Sequence, residues 1–479
     1  QLTFVNEDIM SIYSYMLLRF EVVITLIIFI LLVLKLNDAD NKVKSFMIGI
    51  NVLLLVNFLV GFLPIGEGSL FSGFFKTSGL IVLQKNILNL GLLLISLTSY
   101  TYLSKNNNRI EFYILMLSSM LGVFSMLSSG HILVLYLGLE MSTIPVAALA
   151  NFNKSMKNSS EAGIKLILSS AFSSGIMLFG ISLLYGAVGN LSFENVAANL
   201  QMNELTILAF AFILGGFAFK MSIVPFHLWT ADVYEGSPIA VTNYLSVISK
   251  GSVIFAFISV LYSVFTNFTE AWLYAITILS IFSMTVGNLF ALRQQNLKRF
   301  LAFSSIAQVG FVLIGIAGAS KLGLASATYF VLIYLLSNIA SFGVISAIYD
   351  STGKETLNDY KGLYKSNPYY ALIFAVSLFS LAGIPPTAGF FGKMFLLTSG
   401  MGNGMYLLLA FAAINLVLSL YNYLRIVKTM FIDEAVETLP AVEKNMPTKI
   451  ALAICTIGII IVGFITPLFQ HIDVLSVIK

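Results

Sequence analysis

Residues 217–229 read Phe217-Ala218-Phe219-Lys220-Met221-Ser222-Ile223-Val224-Pro225-Phe226-His227-Leu228-Trp229. An apolar helical run carries a lysine, meets a proline, and stays apolar on the far side. Proline removes an amide donor and strains the turn before it, so a helix predicted over 205–224 ends here while the hydrophobic character continues to Trp229. The combination recurs in the stretch 369–402, where Ala382-Gly383-Ile384-Pro385-Pro386-Thr387-Ala388-Gly389 is followed by Lys393. As a single helix that stretch would measure about 50 Å at ~1.5 Å per residue, too long for ~30 Å of hydrocarbon without strong tilt. Both segments therefore read as broken helices. At membrane depth such backbone survives only where protein encloses it or where it lines a hydrated cavity.

The rest of the chain places these breaks in a bilayer. Charged residues are 10% of the 479 and apolar residues 58%, with a mean hydropathy of +0.93, whereas a soluble domain carries about a quarter charged residues. The expected fold is an all-α polytopic membrane protein. The single Cys455 excludes an internal disulfide framework and a thiolate metal cluster. His131, His227 and His471 are too few and too scattered to be a pair of haem ligands. No metal or cofactor site is expected in this chain, and redox chemistry within it is not expected either. The net charge of +4 comes from lysines and arginines in short connecting loops, which reads as membrane orientation rather than nucleic-acid binding. No cleavable leader is read from the first residues, which open on Gln1, so native residues are expected to precede them.

Hydropathy gives fourteen transmembrane helices, near 9–34, 46–64, 78–103, 109–129, 131–151, 160–186, 205–224, 239–265, 271–292, 297–318, 324–349, 369–402, 404–430 and 447–468. An even count puts both termini on one side. The loops opposite hold sixteen basic residues, Lys42 and Lys444 among them, against four (Arg19, Lys76, Lys321 and Lys479) on the side of the termini. By the positive-inside rule the termini face the periplasm of a bacterial inner membrane. The breaks fall in the seventh and twelfth spans, five apart. Spans 4–8 and 9–13 are then expected to be two five-helix repeats, the second inverted because the unit is odd, an arrangement that places ion sites near the midplane in secondary transporters. The expected units are 1–105, three N-terminal spans; 106–268 and 269–432, the two repeats; and 433–479, the last span.

Four ionisable residues stand alone in apolar spans: Glu140 in the fifth, Lys220 before the first break, Lys250 in the eighth, and Lys393 after the second break. Each costs about 2.5–3.5 kcal/mol on the lenient insertion scale, and such residues usually line an ion or proton pathway. Three lysines outnumber one carboxylate and cannot all pair with it. An amine can give up its proton where an arginine cannot, so the choice of lysine points to proton transfer. Lys165 in the sixth span and His227 beside the first break are candidate auxiliary residues. The structural reading stands beside the functional one. Glu140 with Lys220 is also what a packing ion pair looks like, Lys165 and Lys85 could snorkel from helix ends, and Arg425 reads as an interfacial anchor. His227, Asp232 and Glu235 could be loop polar groups, while Ser249, Ser252, Asn338 and Ser341 could either order water or join helices.

These residues lie in motifs that resemble the antiporter-like membrane subunits of respiratory complex I (NADH:quinone oxidoreductase) and of multisubunit Na+/H+ antiporters. The resemblance rests on Leu137-Gly138-Leu139-Glu140, Glu161-Ala162-Gly163-Ile164-Lys165, the stretch 219–229, and Asp232-Val233-Tyr234-Glu235-Gly236-Ser237-Pro238. It continues through Gly287-Asn288-Leu289-Phe290 with 291–299, and Leu381 through Lys393. It spans predicted helices four to thirteen and is weak over the first three. Ala231 and Ser237 depart from the usual proline and alanine, which bears on local loop geometry only. Lysine at 393, where a sibling branch has glutamate, and the absence of a long lateral helix make the chain most similar to the N-type branch. The resemblance implies that Glu140 and Lys220 are an ion pair, Lys250 a central connecting lysine and Lys393 the terminal lysine of a second half-channel. It implies a cofactor-free subunit moving protons from cytoplasm to periplasm, coupled to redox chemistry in other subunits that carry FMN and iron–sulfur clusters and bind quinone. Its implied partners are the other membrane subunits, including a sibling antiporter-like subunit and small subunits, and the lipid bilayer. Two other readings remain at this point: a cation/proton antiporter subunit with no redox partner, and a membrane scaffold whose buried charges specify packing.

Overall fold

The computed structural model describes residues 15–36, 43–64, 66–402, 404–435, 439–442 and 445–476. The start of the first predicted span, from residue 9, and Lys42, Lys444 and Lys479 lie outside them. The described chain is almost wholly helical, with one two-stranded antiparallel hairpin, β1 (Gly68–Leu70) and β2 (Phe75–Thr77). The long helices are α1 (Arg19–Leu36), α2 (Val43–Val60), α3 (Gly79–Thr98), α4 (Arg109–Leu127), α5 (Ile132–Ala150), α6 (Lys157–Val188) and α7 (Glu204–Met221). The short α8 (Leu228–Gly236) leads into α9 (Ile239–Ser263), α10 (Thr269–Ala291), α11 (Leu297–Ala317) and α12 (Lys321–Thr352). α13 (Pro368–Ala382), α14 (Ala388–Met401), α15 (Tyr406–Phe431), α16 (Met446–Phe464) and α17 (Thr466–Leu475) complete the chain.

Twelve of these helices are long and apolar enough to cross a membrane. Two of the fourteen predicted spans fall outside that set for visible reasons. α1 carries Arg19, Glu21 and Lys35, and the twelfth predicted span is divided into α13 and α14. Large apolar side chains cover the lipid-facing surfaces, for example Leu137, Phe172 and Tyr274. In contrast, α11 is buried at every position but Arg299, and α12 over most of its length. The polar side chains along the middle of these two helices are therefore enclosed by protein rather than lipid.

The two breaks are built alike. α7 stops at Ser222, whose φ is +62°, and the Ile223 amide reaches back to the Ala218 carbonyl at 2.8 Å. α13 stops at Gly383, φ +86°, and the Ile384 amide reaches back to the Phe379 carbonyl at 3.0 Å. A left-handed residue closes each helix end by satisfying its last carbonyls, and the Val224–Pro225 and Pro385–Pro386 bonds that follow are both cis. Other landmarks recur in the same order. His131 and Asn296 cap α5 and α11 and form isolated bridges with Ser192 and Thr356, beyond α6 and α12. Gly189 and Gly353 end α6 and α12 in left-handed conformations. A Cβ on Gly122 would sit 2.4 Å from the Ser142 amide, and one on Gly287 would sit 2.6 Å from the Ala307 amide. Glycine is what lets α4 touch α5, and α10 touch α11, backbone to backbone.

Candidate functional site

Lys220 lies in the last turn of α7, where the helix dipole favours an ammonium. It is 8% exposed. Its Nζ donates to Thr143 Oγ1 at 2.8 Å and Ser170 Oγ at 2.7 Å and stands 3.7 Å from Glu140 Oε1. Glu140 in turn accepts a hydrogen bond from Ser174. The charges are within ion-pair distance but beyond direct hydrogen bonding, so hydroxyl groups from α5 and α6 hold both. Trp229 secures the break from the other side: its Nε1 donates to the Phe219 carbonyl at 3.1 Å and its ring stacks on Phe219.

Lys250 follows a π-helical stretch, Leu245–Ser249, inside α9. Such bulges open the backbone ladder and frequently mark functional positions. At 1% exposure, Lys250 faces no carboxylate within salt-bridge distance among the described residues. Its Nζ donates to Ser305 Oγ at 2.6 Å on α11 and lies 5.2 Å from the centre of the Tyr234 ring on α8. Lys393, 3% exposed, turns back from α14 across the second break. Its Nζ donates to the Leu381 and Ala382 carbonyls at 2.7 and 3.1 Å and lies 4.6 Å from the centre of the Phe311 ring. Lys220 thus belongs to the last turn of the first broken helix, while Lys393 places its ammonium at the carbonyl end of the second from beyond the break.

Lys165 does not join this row. It is 41% exposed and pairs with Glu161 and Asp232, each at 2.6 Å. Asp232 also accepts from Arg299 at 2.7 Å, and the same guanidinium nitrogen reaches Glu235 at 2.8 Å, so the cluster ties α6 and α8 to the start of α11. His227 is 8% exposed, and its Nδ1 is buried without a hydrogen-bond partner. Ser252 and Asn338 donate to carbonyls of their own helices, whereas Ser341 reaches Ser377 and joins α12 to α13.

Two sequence expectations are corrected. Lys85 does not snorkel: it is 1% exposed, salt-bridged to Glu21 on α1 and surrounded by Phe20, Phe75 and Phe124. Its partner lies in another predicted span, so the pairing has no local signal. Arg425 does more than anchor an interface, since its guanidinium caps α10 by donating to the Leu292 and Gln294 carbonyls.

Residues 129–419 match the family described as NADH:quinone oxidoreductase/Mrp antiporter, transmembrane. The chain belongs to this family. An NADH-quinone oxidoreductase subunit N from Phocaeicola vulgatus is 44% identical over 423 residues, covering 88% of this chain and 89% of its own. A chain in the Thermus thermophilus respiratory complex I with bound aureothin superposes with a TM-score of 0.81 at 27% identity, over 94% of this chain and 98% of that one. A chain of the Mrp complex from Dietzia sp. DQ12-45-1b shares the fold, with a TM-score of 0.85 at 20% identity over 95% and 96% of the two chains.

Sequence reasoning picked out the lysines of this family member but not the groups that hold them. Thr143, Ser170 and Ser174 around the Glu140–Lys220 pair, and Ser305 and Tyr234 around Lys250, are ordinary residues for membrane helices. Only the clustering of hydroxyls on helices that share a buried face could have pointed to them.

Proposed function

We propose that this chain moves protons from cytoplasm to periplasm as subunit N of a bacterial NADH:quinone oxidoreductase, through Glu140, Lys220, Lys250 and Lys393. The observation that carries the pathway is that all three lysines are buried while two of them, Lys250 and Lys393, are seated on neutral oxygen atoms. A buried charge without a carboxylate contributes little to packing that leucine would not provide, and such residues mark proton relays. Each lysine sits where backbone continuity is interrupted, at the two breaks and at the π-helical stretch.

The mechanism follows from the seats. Glu140 stabilises the ammonium on Lys220 across 3.7 Å. A charge change in a neighbouring subunit that draws Glu140 away removes that attraction, and the proton leaves Lys220 for water. The buried hydroxyl of Tyr234 and Nδ1 of His227 have no hydrogen-bond partner among the described residues, and polar atoms enclosed in this way normally bind ordered water. The proton passes by way of Lys250 to Lys393 and on to the periplasm. Residues 106–268 and 269–432 act as two inverted copies of one unit, which the matching caps, crossings and breaks support, while 1–105 and 433–479 flank them. The basic loops face the cytoplasm and the termini the periplasm. Electron transfer belongs to partner subunits with FMN, iron–sulfur clusters and quinone, and this chain carries no redox centre.

The test is NADH-driven proton translocation by the assembled complex in sealed vesicles. Lys220→Met, Lys250→Met and Lys393→Met each lower protons moved per NADH oxidised while leaving the subunit assembled. Undiminished stoichiometry in all three rejects the pathway. Purification of the chain without flavin or iron–sulfur absorbance would instead favour an antiporter that has no redox partner.

A further inference from the structure

α11 is buried at every position but Arg299, yet it carries Ser304, Ser305 and Gln308 within little more than one turn. Ser305 and Gln308 are three residues apart and share a face. Ser305 accepts from Lys250 at 2.6 Å. Gln308 spends both amide protons on the side of Lys393: its Nε2 donates to the Leu381 carbonyl at 2.9 Å and to the Tyr423 hydroxyl at 2.9 Å. The Leu381 carbonyl is the same oxygen that accepts from Lys393 at 2.7 Å. One helix face therefore touches the seats of both lysines.

On α11 and α12 two atoms are left over. Gln308 Oε1 and the Tyr334 hydroxyl are buried with no hydrogen-bond partner among the described residues. Tyr334 lies on α12, the helix that also carries Asn338, and α12 packs along α11. Leaving an amide oxygen unsatisfied inside a low-dielectric interior is costly unless water or a moving proton carrier reaches it.

The fold gives these positions a counterpart. His131 and Asn296 are matching caps. Nine residues beyond them stand Glu140 and Ser305, and twelve beyond stand Thr143 and Gln308. Glu140 and Thr143 are the α5 groups that hold Lys220. On α5 these two positions hold Lys220; on α11 the first accepts from Lys250 and the second shares the Leu381 carbonyl with Lys393.

We infer that Ser305 and Gln308 form the seat that positions proton transfer between Lys250 and Lys393, an inference that rests on reading those lysines as proton carriers. In the transfer, an N–H bond of the Lys250 ammonium breaks, the proton crosses water held by Gln308 Oε1 and the Tyr334 hydroxyl, and an N–H bond forms on the Lys393 amine. No electrons change hands. Gln308 gives up no proton of its own. It fixes the Leu381 carbonyl with one N–H, Tyr423 with the other, and presents Oε1 as the acceptor that orients the water. A carboxylate at 305 would trap the ammonium of Lys250, and the neutral hydroxyl avoids this.

The experiment uses the whole complex in sealed vesicles, with Gln308→Leu, Ser305→Ala and Gln308→Glu beside Lys250→Met and Lys393→Met. Quinone reduction, protons moved per NADH, the solvent deuterium isotope effect on coupled turnover, and subunit assembly are measured for each. Gln308→Leu is expected to slow coupled proton delivery about tenfold and to raise the isotope effect, because proton transfer between the lysines becomes limiting. Ser305→Ala changes both in the same direction by a smaller factor. Gln308→Glu keeps the side-chain shape but adds a carboxylate beside Lys393, and is expected to assemble and fail to pump. A slower rate with an unchanged isotope effect, or normal pumping in Gln308→Glu, overturns the inference. If Gln308→Leu and Ser305→Ala pump normally while the lysine variants do not, the seat is rejected and the pathway stands. If the lysine variants pump normally, the pathway itself is rejected.

Discussion

Glu140→Gln isolates the charge of the first pair from its shape. Glutamine keeps the length of the side chain and still accepts from Ser174, the contact that Glu140 makes now. What disappears is the attraction across 3.7 Å between Glu140 and Lys220. At an effective dielectric of about 20 this is worth ~4 kcal/mol, an upper figure because the Glu140 side chain is 22% exposed and partly screened. Losing even ~1.4 kcal/mol shifts the loaded and unloaded states of Lys220 about tenfold. Lys220 keeps its hydrogen bonds to Thr143 and Ser170, so the helices stay in place. Glu140→Asp withdraws the carboxylate by roughly one methylene, to about 5 Å, and retains ~3 kcal/mol of the attraction by the same relation. Proton translocation per NADH in sealed vesicles is therefore expected to fall in the order wild type, Glu140→Asp, Glu140→Gln, with normal subunit content in all three. Equal translocation by wild type and Glu140→Gln would refute the reasoning, as would a fall that tracks loss of the subunit.

Four further outcomes are expected. Lys85→Met leaves the Glu21 carboxylate buried without its cation, a loss of about 3–5 kcal/mol, and Glu21→Gln with Lys85→Met recovers most of it; thermal unfolding of the purified complex reads both. Gly122→Ala places a methyl 2.4 Å from the Ser142 amide and forces α4 from α5, costing about 1–3 kcal/mol, which appears as less assembled complex in membranes. Arg299→Ala opens the links to Asp232 and Glu235 and lowers the thermal midpoint, whereas Arg299→Lys keeps part of it because a single nitrogen makes both contacts. The Lys76 hydrogen bond holds the Glu194 carboxyl below its ordinary value. Its contribution is present above the usual carboxylate range and is lost as pH falls through the folded value; with Glu194 mostly exposed, Glu194→Gln changes the midpoint only slightly at neutral pH.

The parts of this molecule that could be read from sequence are those whose signal is local. A lysine alone in an apolar run, as at 220, 250 and 393, is conspicuous because hydrocarbon makes any charge expensive. Prolines mark both breaks because their chemistry acts on the adjacent turn. What could not be read depends on residues far apart in the chain meeting. Lys85 looked like a helix-end residue because Glu21 lies 64 positions away. Arg299 follows Arg293 and Lys298 in a basic stretch of sequence, yet its guanidinium clasps Asp232 and Glu235. Ser305 and Gln308 gave no signal because serine and glutamine in a membrane helix ordinarily join helices, and only their own burial on α11 between two lysine seats separates them from that background. The matching of the two halves was visible at the prolines alone, since left-handed caps and glycine crossings depend on backbone geometry more than on residue identity.

The central claim is that solvent links Lys220, Lys250 and Lys393 through the protein interior. A density map of the intact complex that resolves ordered water tests it most directly. The account predicts waters beside the Tyr234 hydroxyl, His227 Nδ1 and Gln308 Oε1, joining the three amines into one hydrogen-bonded row. Dry aliphatic packing between any two of them, in both resting and turning-over complex, would contradict it.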